Sequence, residues 1–174
     1  MADVYAVFGT LLALGIAFPG MLVGYWLLFP SAVSRAQQRL EATPYRCLFL
    51  GLGAAALTIA LVSMFSAVSL GVIKLLAAIL GFGALAVATI GAAGIASSMA
   101  ARLRVAAAGG LSDAAALVRG AVAFELAAAF PLVGWFVALP VSLVASYGAG
   151  IFSLLHWMPR AARVSVAEPA LSQA

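Results

Sequence analysis

RGAVAFELAAAFPLVGWFVALPVSLVASYGAGIFSLLHW, residues Arg119 to Trp157, decides the fold. It is apolar almost throughout, yet it holds Glu125, two prolines and the break Pro131-Leu132-Val133-Gly134-Trp135. As one straight helix it would measure about 55 Å at 1.5 Å per residue, far more than a bilayer core of about 30 Å. A hairpin is therefore expected, its arms meeting around Pro131 to Pro140, as two short spans or as a re-entrant pair of half-helices.

The rest of the chain sets this element in lipid. Of 174 residues 66% are hydrophobic and 8% charged, too little polar cover for a soluble domain. Four stretches carry no Asp, Glu, Lys or Arg: Val4–Ser34, Cys47–Ile73, Leu75–Ala101 and Leu126–Pro159. Each exceeds the roughly 20 helical residues a crossing needs, and none alternates as a membrane barrel strand would. The expected fold is an all-α integral membrane protein, with three transmembrane helices followed by the Pro/Gly-broken hairpin. One helical membrane domain is expected over residues 1–157 and a flexible tail over 158–174. No Lys or Arg precedes the first apolar run and no small-residue cleavage site follows it, so this run reads as an uncleaved span.

In chain order, span one is expected over Val4–Phe29, kinked at Pro19, with Gly20 and Gly24 spaced for close helix approach. Ser31–Arg46 reads as a short basic helix lying on the membrane surface. Arg35 and Arg39 share a lipid-facing side, opposite Val33, Ala36 and Leu40. Thr43-Pro44 ends it. Span two covers Cys47–Ser66, the turn Ala67–Gly71 follows, and span three covers Leu75–Ser98. Ala84, Ala88, Gly91 and Gly94 fall near one face of span three, which suits tight packing and could also admit a lipid tail or a flat pigment. Arg102 and Arg104 precede the breaker Gly109-Gly110 and are read, like Arg35 and Arg39, as basic groups facing the lipid surface. Ser112 reads as an N-cap with Asp113 in the first turn.

Charge sets the expected orientation. Loops Ser31–Arg46 and Ala101–Arg119 each hold three arginines and one acid, and the tail holds Arg160 and Arg163. The other side offers only the amino terminus and Lys74. The positive-inside rule then puts both loops and the tail in the cytoplasm and the amino terminus outside, in a multi-pass inner-membrane protein.

Two segments carry a resemblance. One is Leu28-Phe29-Pro30 with Val33, Arg35, Arg39 and Leu40, then Pro44, Arg46 and Gly51. The other is Arg119-Gly120 with Pro131-Leu132-Val133-Gly134-Trp135 and the Gly148/Gly150 stretch. Together, over roughly Leu11 to Leu155, they resemble the multi-span membrane domain that follows bactofilin-like, polymer-forming cytoskeletal domains in bacteria. The resemblance implies a bacterial inner-membrane protein with an anchoring role and brings no established activity with it. Residues 1–174 show no soluble β-helical polymer-forming stretch, so what the domain anchors is expected to be another polypeptide. The turn Ser66–Ile73 also lacks the proline-containing motif of that pattern.

The chemistry on offer is sparse. Glu125 is the foremost candidate functional group, because a carboxyl in a bilayer is kept neutral or paired. It reads either as a protonatable site on an ion path or as a carboxyl bonded near the cytoplasmic interface. Pro131, Gly134 and Trp135 mark the discontinuous helix, a feature of transport sites. His156 beside Trp157 reads as an interfacial aromatic more readily than as a ligand, and Cys47 as a small interfacial hydrophobe. No HExxH, P-loop, Ser-His-Asp set or paired carboxylate occurs, and the arginines form no nucleic-acid stripe. The expectation is a non-catalytic accessory or scaffold subunit that assembles or stabilises a larger bacterial membrane complex. Its partners would be lipid and other membrane subunits or further copies of itself. No catalytic residue, metal or cofactor is expected, but bound lipid is. The alternative is a small channel or transporter using Glu125 and the Pro131–Pro140 break.

Overall fold

A computed structural model of the chain describes residues 2–107 and 110–157, so the tail after Trp157 and the first glycine of Gly109-Gly110 lie outside the described residues. Among the described residues every element is helical: α1 (Ala2–Leu28), α2 (Pro30–Ala42), α3 (Pro44–Ala67), α4 (Gly71–Ala106), α5 (Asp113–Ala129), a π-helical segment (Gly134–Ala138) and α6 (Leu139–Leu154). Among the described residues three helices are long and apolar enough to cross a membrane: α3, α4, and the π segment joined to α6. A fourth is reached if α1 and α2 count as one bent span.

Proline makes the first two corners. Pro30 and Pro44 begin α2 and α3, where a missing N–H costs nothing. Each forces the residue before it out of helical geometry, Phe29 to φ −129° and Thr43 to φ −146°. The chain therefore bends by 108° between the end of α1 and α2. Pro19, by contrast, is carried inside an unbroken α1. α2 crosses the bundle at one end. Gly94 of α4 packs against Ala36 and Gln37, and Ser153 at the end of α6 donates from Oγ to the Ala32 carbonyl at 2.6 Å. So α3 leaves α2, while α4 and α6 both run back toward it.

α4 is the central helix. At 36 residues it is about 54 Å long and outruns a 30 Å hydrocarbon core. It extends well past the expected span Leu75–Ser98, because no breaker interrupts the helix before Ala107. α5 folds back along its end: Arg104 pairs with Asp113, and Gly120 seats on Ala96 and Ala100. Ser112 caps α5, its Oγ accepting from the Ala115 N–H at 3.3 Å. α6 packs on the other side, between α3 and α4. Glycine lets the backbones touch there. A Cβ on Gly51 would overlap the Val144 carbonyl, one on Gly148 the Cys47 carbonyl, one on Gly91 the Ser146 carbonyl and one on Gly150 the Val87 carbonyl.

The break between α5 and α6 is shorter than the Pro131–Pro140 interval expected. Helix stops at Ala129 and resumes by Gly134, and Pro140 sits harmlessly in the first turn of α6. Leu132 takes a left-handed φ of 68°, and Val133 N–H donates to the Pro131 carbonyl at 2.9 Å across it. The far end of α6 closes in a Schellman arrangement. His156 N–H donates to Ser153 O, Trp157 N–H donates to Phe152 O, and the Phe152 and Trp157 rings lie 6.0 Å apart. His156 holds the left-handed position at φ 55°, which strains a residue with a Cβ. His156→Gly is therefore expected to raise stability by about 1 kcal/mol, read as a higher midpoint in SDS-titration unfolding.

Candidate functional site

The described polar side chains gather mainly where α2 meets the ends of α3 and α6. Arg39 is 8% exposed. Its guanidinium carbon stands 4.2 Å over the Phe152 ring, and its buried Nε has no hydrogen-bond partner among the described residues. Arg35 donates from Nε to the Ser153 carbonyl at 3.1 Å. Two cations thus face the last turn of α6, where unpaired carbonyls give the helix its negative end. This corrects the lipid-facing reading of Arg39; Arg35 is half-buried. Arg39 follows Ala36 by three residues and so lies on the buried side of α2 with Val33 and Ala36, its apolar stem packed inward. Arg102 and Arg104 are exposed as expected, Arg104 in the pair with Asp113.

The small-residue faces divide in two. Ala88, Gly91 and Gly94 of α4 are buried, Ala84 is half-buried at a cavity wall, and the two glycines touch α6 and α2. At Gly20 and Gly24, a Cβ would meet nothing within 4 Å, so this pair serves no contact among the described residues. Ser146, opposite Gly91, is buried, and its Oγ has no hydrogen-bond partner among the described residues. Ser146→Ala removes that uncompensated hydroxyl and is expected to stabilise by about 1 kcal/mol; a loss of stability would show that the hydroxyl is bonded.

Glu125 is half-buried on α5 beside α1, and a Cβ on Gly15 would lie 3.4 Å from its Oε1. The Phe18 and Phe124 rings pack next to it, 5.8 Å apart. The break residues do not join it: Pro131, Leu132 and Trp135 point outward, and only Gly134 is buried, against the Ala127 and Ala128 carbonyls. The sequence locates this turn but not its orientation. His156 is exposed, with Nδ1 2.9 Å from the Leu154 carbonyl, and Cys47 is buried in the first turn of α3. No group of three metal-binding side chains occurs among the described residues.

A second feature involves Ala84 and Ala88, part of the small-residue face read on α4. A cavity of about 350 Å³ lies between α3, α4 and α6, walled by Ala55, Gly81, Ala84, Ala88 and Leu143. The Thr58 and Tyr147 hydroxyls, 2.9 Å apart, bond to each other at its wall. These two residues lie 89 positions apart, and only the α3–α6 contact brings them together. Comparison with family models, with curated proteins and with solved structures returned no match.

Proposed function

We propose that this chain is a non-catalytic membrane subunit that anchors or stabilises a larger complex by helix packing, the role that the resemblance to bactofilin-associated membrane domains implies. The observation that carries this reading is how the polar groups within the spans are used. Thr58 and Tyr147 satisfy each other, Thr89 donates to Leu85 O, Ser97 to Ala93 O, and Ser98 to Gly94 O. They bind the chain to itself, Thr58 and Tyr147 at the cavity wall and the others to the carbonyl one turn back on their own helix. The outer faces are apolar, and Gly20 and Gly24 leave room for another helix against α1.

The orientation follows the charges. α2, the start of α3 and the end of α4 carry Arg35, Arg39, Arg46, Arg102 and Arg104, and this end is assigned to the cytoplasm of a bacterial inner membrane. α5, at 17 residues or about 25 Å, is short for a crossing, whereas the 21 residues of the π segment and α6 suffice. The final element is then an asymmetric hairpin with one full arm. For the transport alternative, the outward-facing Trp135 is unfavourable. Gentle native extraction followed by mass spectrometry of co-migrating proteins is the test. A stoichiometric assembly with other membrane subunits is expected, and a lone monodisperse chain overturns the proposal.

A further inference from the structure

The cavity between α3, α4 and α6 continues into a second depression of about 320 Å³, with Val62, Gly81 and Leu85 common to both. The combined groove follows the α3–α4 seam and reaches Lys74, which is exposed and whose ammonium group has no hydrogen bond or ion pair with a described residue. Its two ends differ in chemistry. At Lys74 it opens beside a cation. At Ala55 and Ala88 it stops, because the backbone contacts at Gly51–Val144 and Gly91–Ser146 draw α3 and α4 onto α6. The Thr58 and Tyr147 hydroxyls at that end bond to each other, and the rest of the wall around them is mainly apolar. From Lys74 to Ala88 is fourteen residues of α4, about 21 Å, comparable to the roughly 15 Å depth of one leaflet plus the headgroup level.

We propose that this groove holds one acyl chain of an anionic phospholipid, drawn from the leaflet on the side away from α2, with its phosphate paired to Lys74. The occupant is anionic because Lys74 is the only cation among the described residues that line the groove. It is a single acyl chain because the groove is lined mainly by apolar side chains and ends where α3 and α4 close onto α6. The lipid acts as a structural ligand that fills the space α6 leaves between α3 and α4. This is independent of the anchoring role and stands if that role fails.

The test uses the full chain in nonionic detergent with an equimolar mixture of phosphatidylglycerol and phosphatidylcholine of identical acyl chains, read by native mass spectrometry. One retained lipid per chain is expected, with phosphatidylglycerol favoured about five-fold. Lys74→Gln should bring that ratio to about one, and Lys74→Arg should keep the preference. Ala84→Phe should expel the lipid. Gly81→Leu should do the same, since a side chain there meets no atom within 4 Å before it enters the groove. Circular dichroism confirms helicity of each variant. The proposal is overturned if the wild type shows no preference, if Lys74→Gln keeps it, or if the helical groove-filling variants retain lipid. It is also overturned if a free fatty acid of the same chain displaces phosphatidylglycerol, or if a dimer that Ala84→Phe dissociates occupies the seam.

Discussion

A Gly148→Val chain is expected to lose about 3 kcal/mol or more of stability, with α6 displaced from α3. Any Cβ at position 148 would overlap the Cys47 carbonyl and lie 2.8 Å from both the Cys47 carbonyl carbon and the Gly51 N. These are backbone atoms of a helix, so no rotamer change can make room. Gly51, facing Gly148, is equally closed, and so the two helices can only separate. Separation forfeits the van der Waals contact that holds helices together in lipid, where apolar burial offers little drive. Gly53→Ala is the control, because nothing lies within 4 Å of a Cβ there. It should change stability by no more than about 0.5 kcal/mol. SDS-titration unfolding followed by circular dichroism reads both. Equal midpoints for the two variants would show that the α3–α6 contact is not where stability resides.

Phe152→Ala carries the other large effect, about 3 kcal/mol. Phe152 is 7% exposed, lies under Arg39 and beside Trp157, and occupies the last turn of α6. Its loss opens a cavity, removes the ring that faces a buried guanidinium, and deprives the Schellman closure of its hydrophobic contact. Arg39→Met separates these contributions. It keeps an apolar stem of similar length and removes a charge whose Nε has no partner among the described residues, so it should cost less than about 1 kcal/mol or even stabilise. A loss as large as that of Phe152→Ala would mean that the guanidinium has an anionic partner in the native membrane.

Much of the helical layout is legible in the sequence. Pro30 and Pro44 mark the ends of the short helix between them, Ser112 marks the start of α5, and uninterrupted apolar runs mark α3 and α4. These signals are local: a missing N–H, a side-chain oxygen three residues from a free amide, the absence of charge over a bilayer's width. The break after Ala129 is also legible, although the sequence pattern extends it to Pro140. A proline is a breaker only where it replaces a needed donor, and in the first turn of α6 none is needed.

What each face touches depends on residues far away in the chain. Arg39 reads as a surface cation until Phe152, at the other end of the sequence, arrives to cover it. Gly20-Gly24 and Gly91-Gly94 look alike in the sequence, yet the first pair is open and the second is closed against α6 and α2. Thr58 and Tyr147 give no local sign of pairing. Composition and spacing determine helices and their lengths, because those arise within a few turns and from the demand that lipid makes on every backbone amide. Tertiary packing alone decided which glycine faces serve the bundle, which arginine is buried, and where the groove lies, because helix contacts set by backbone approach carry no periodic signature that a single chain's sequence can display.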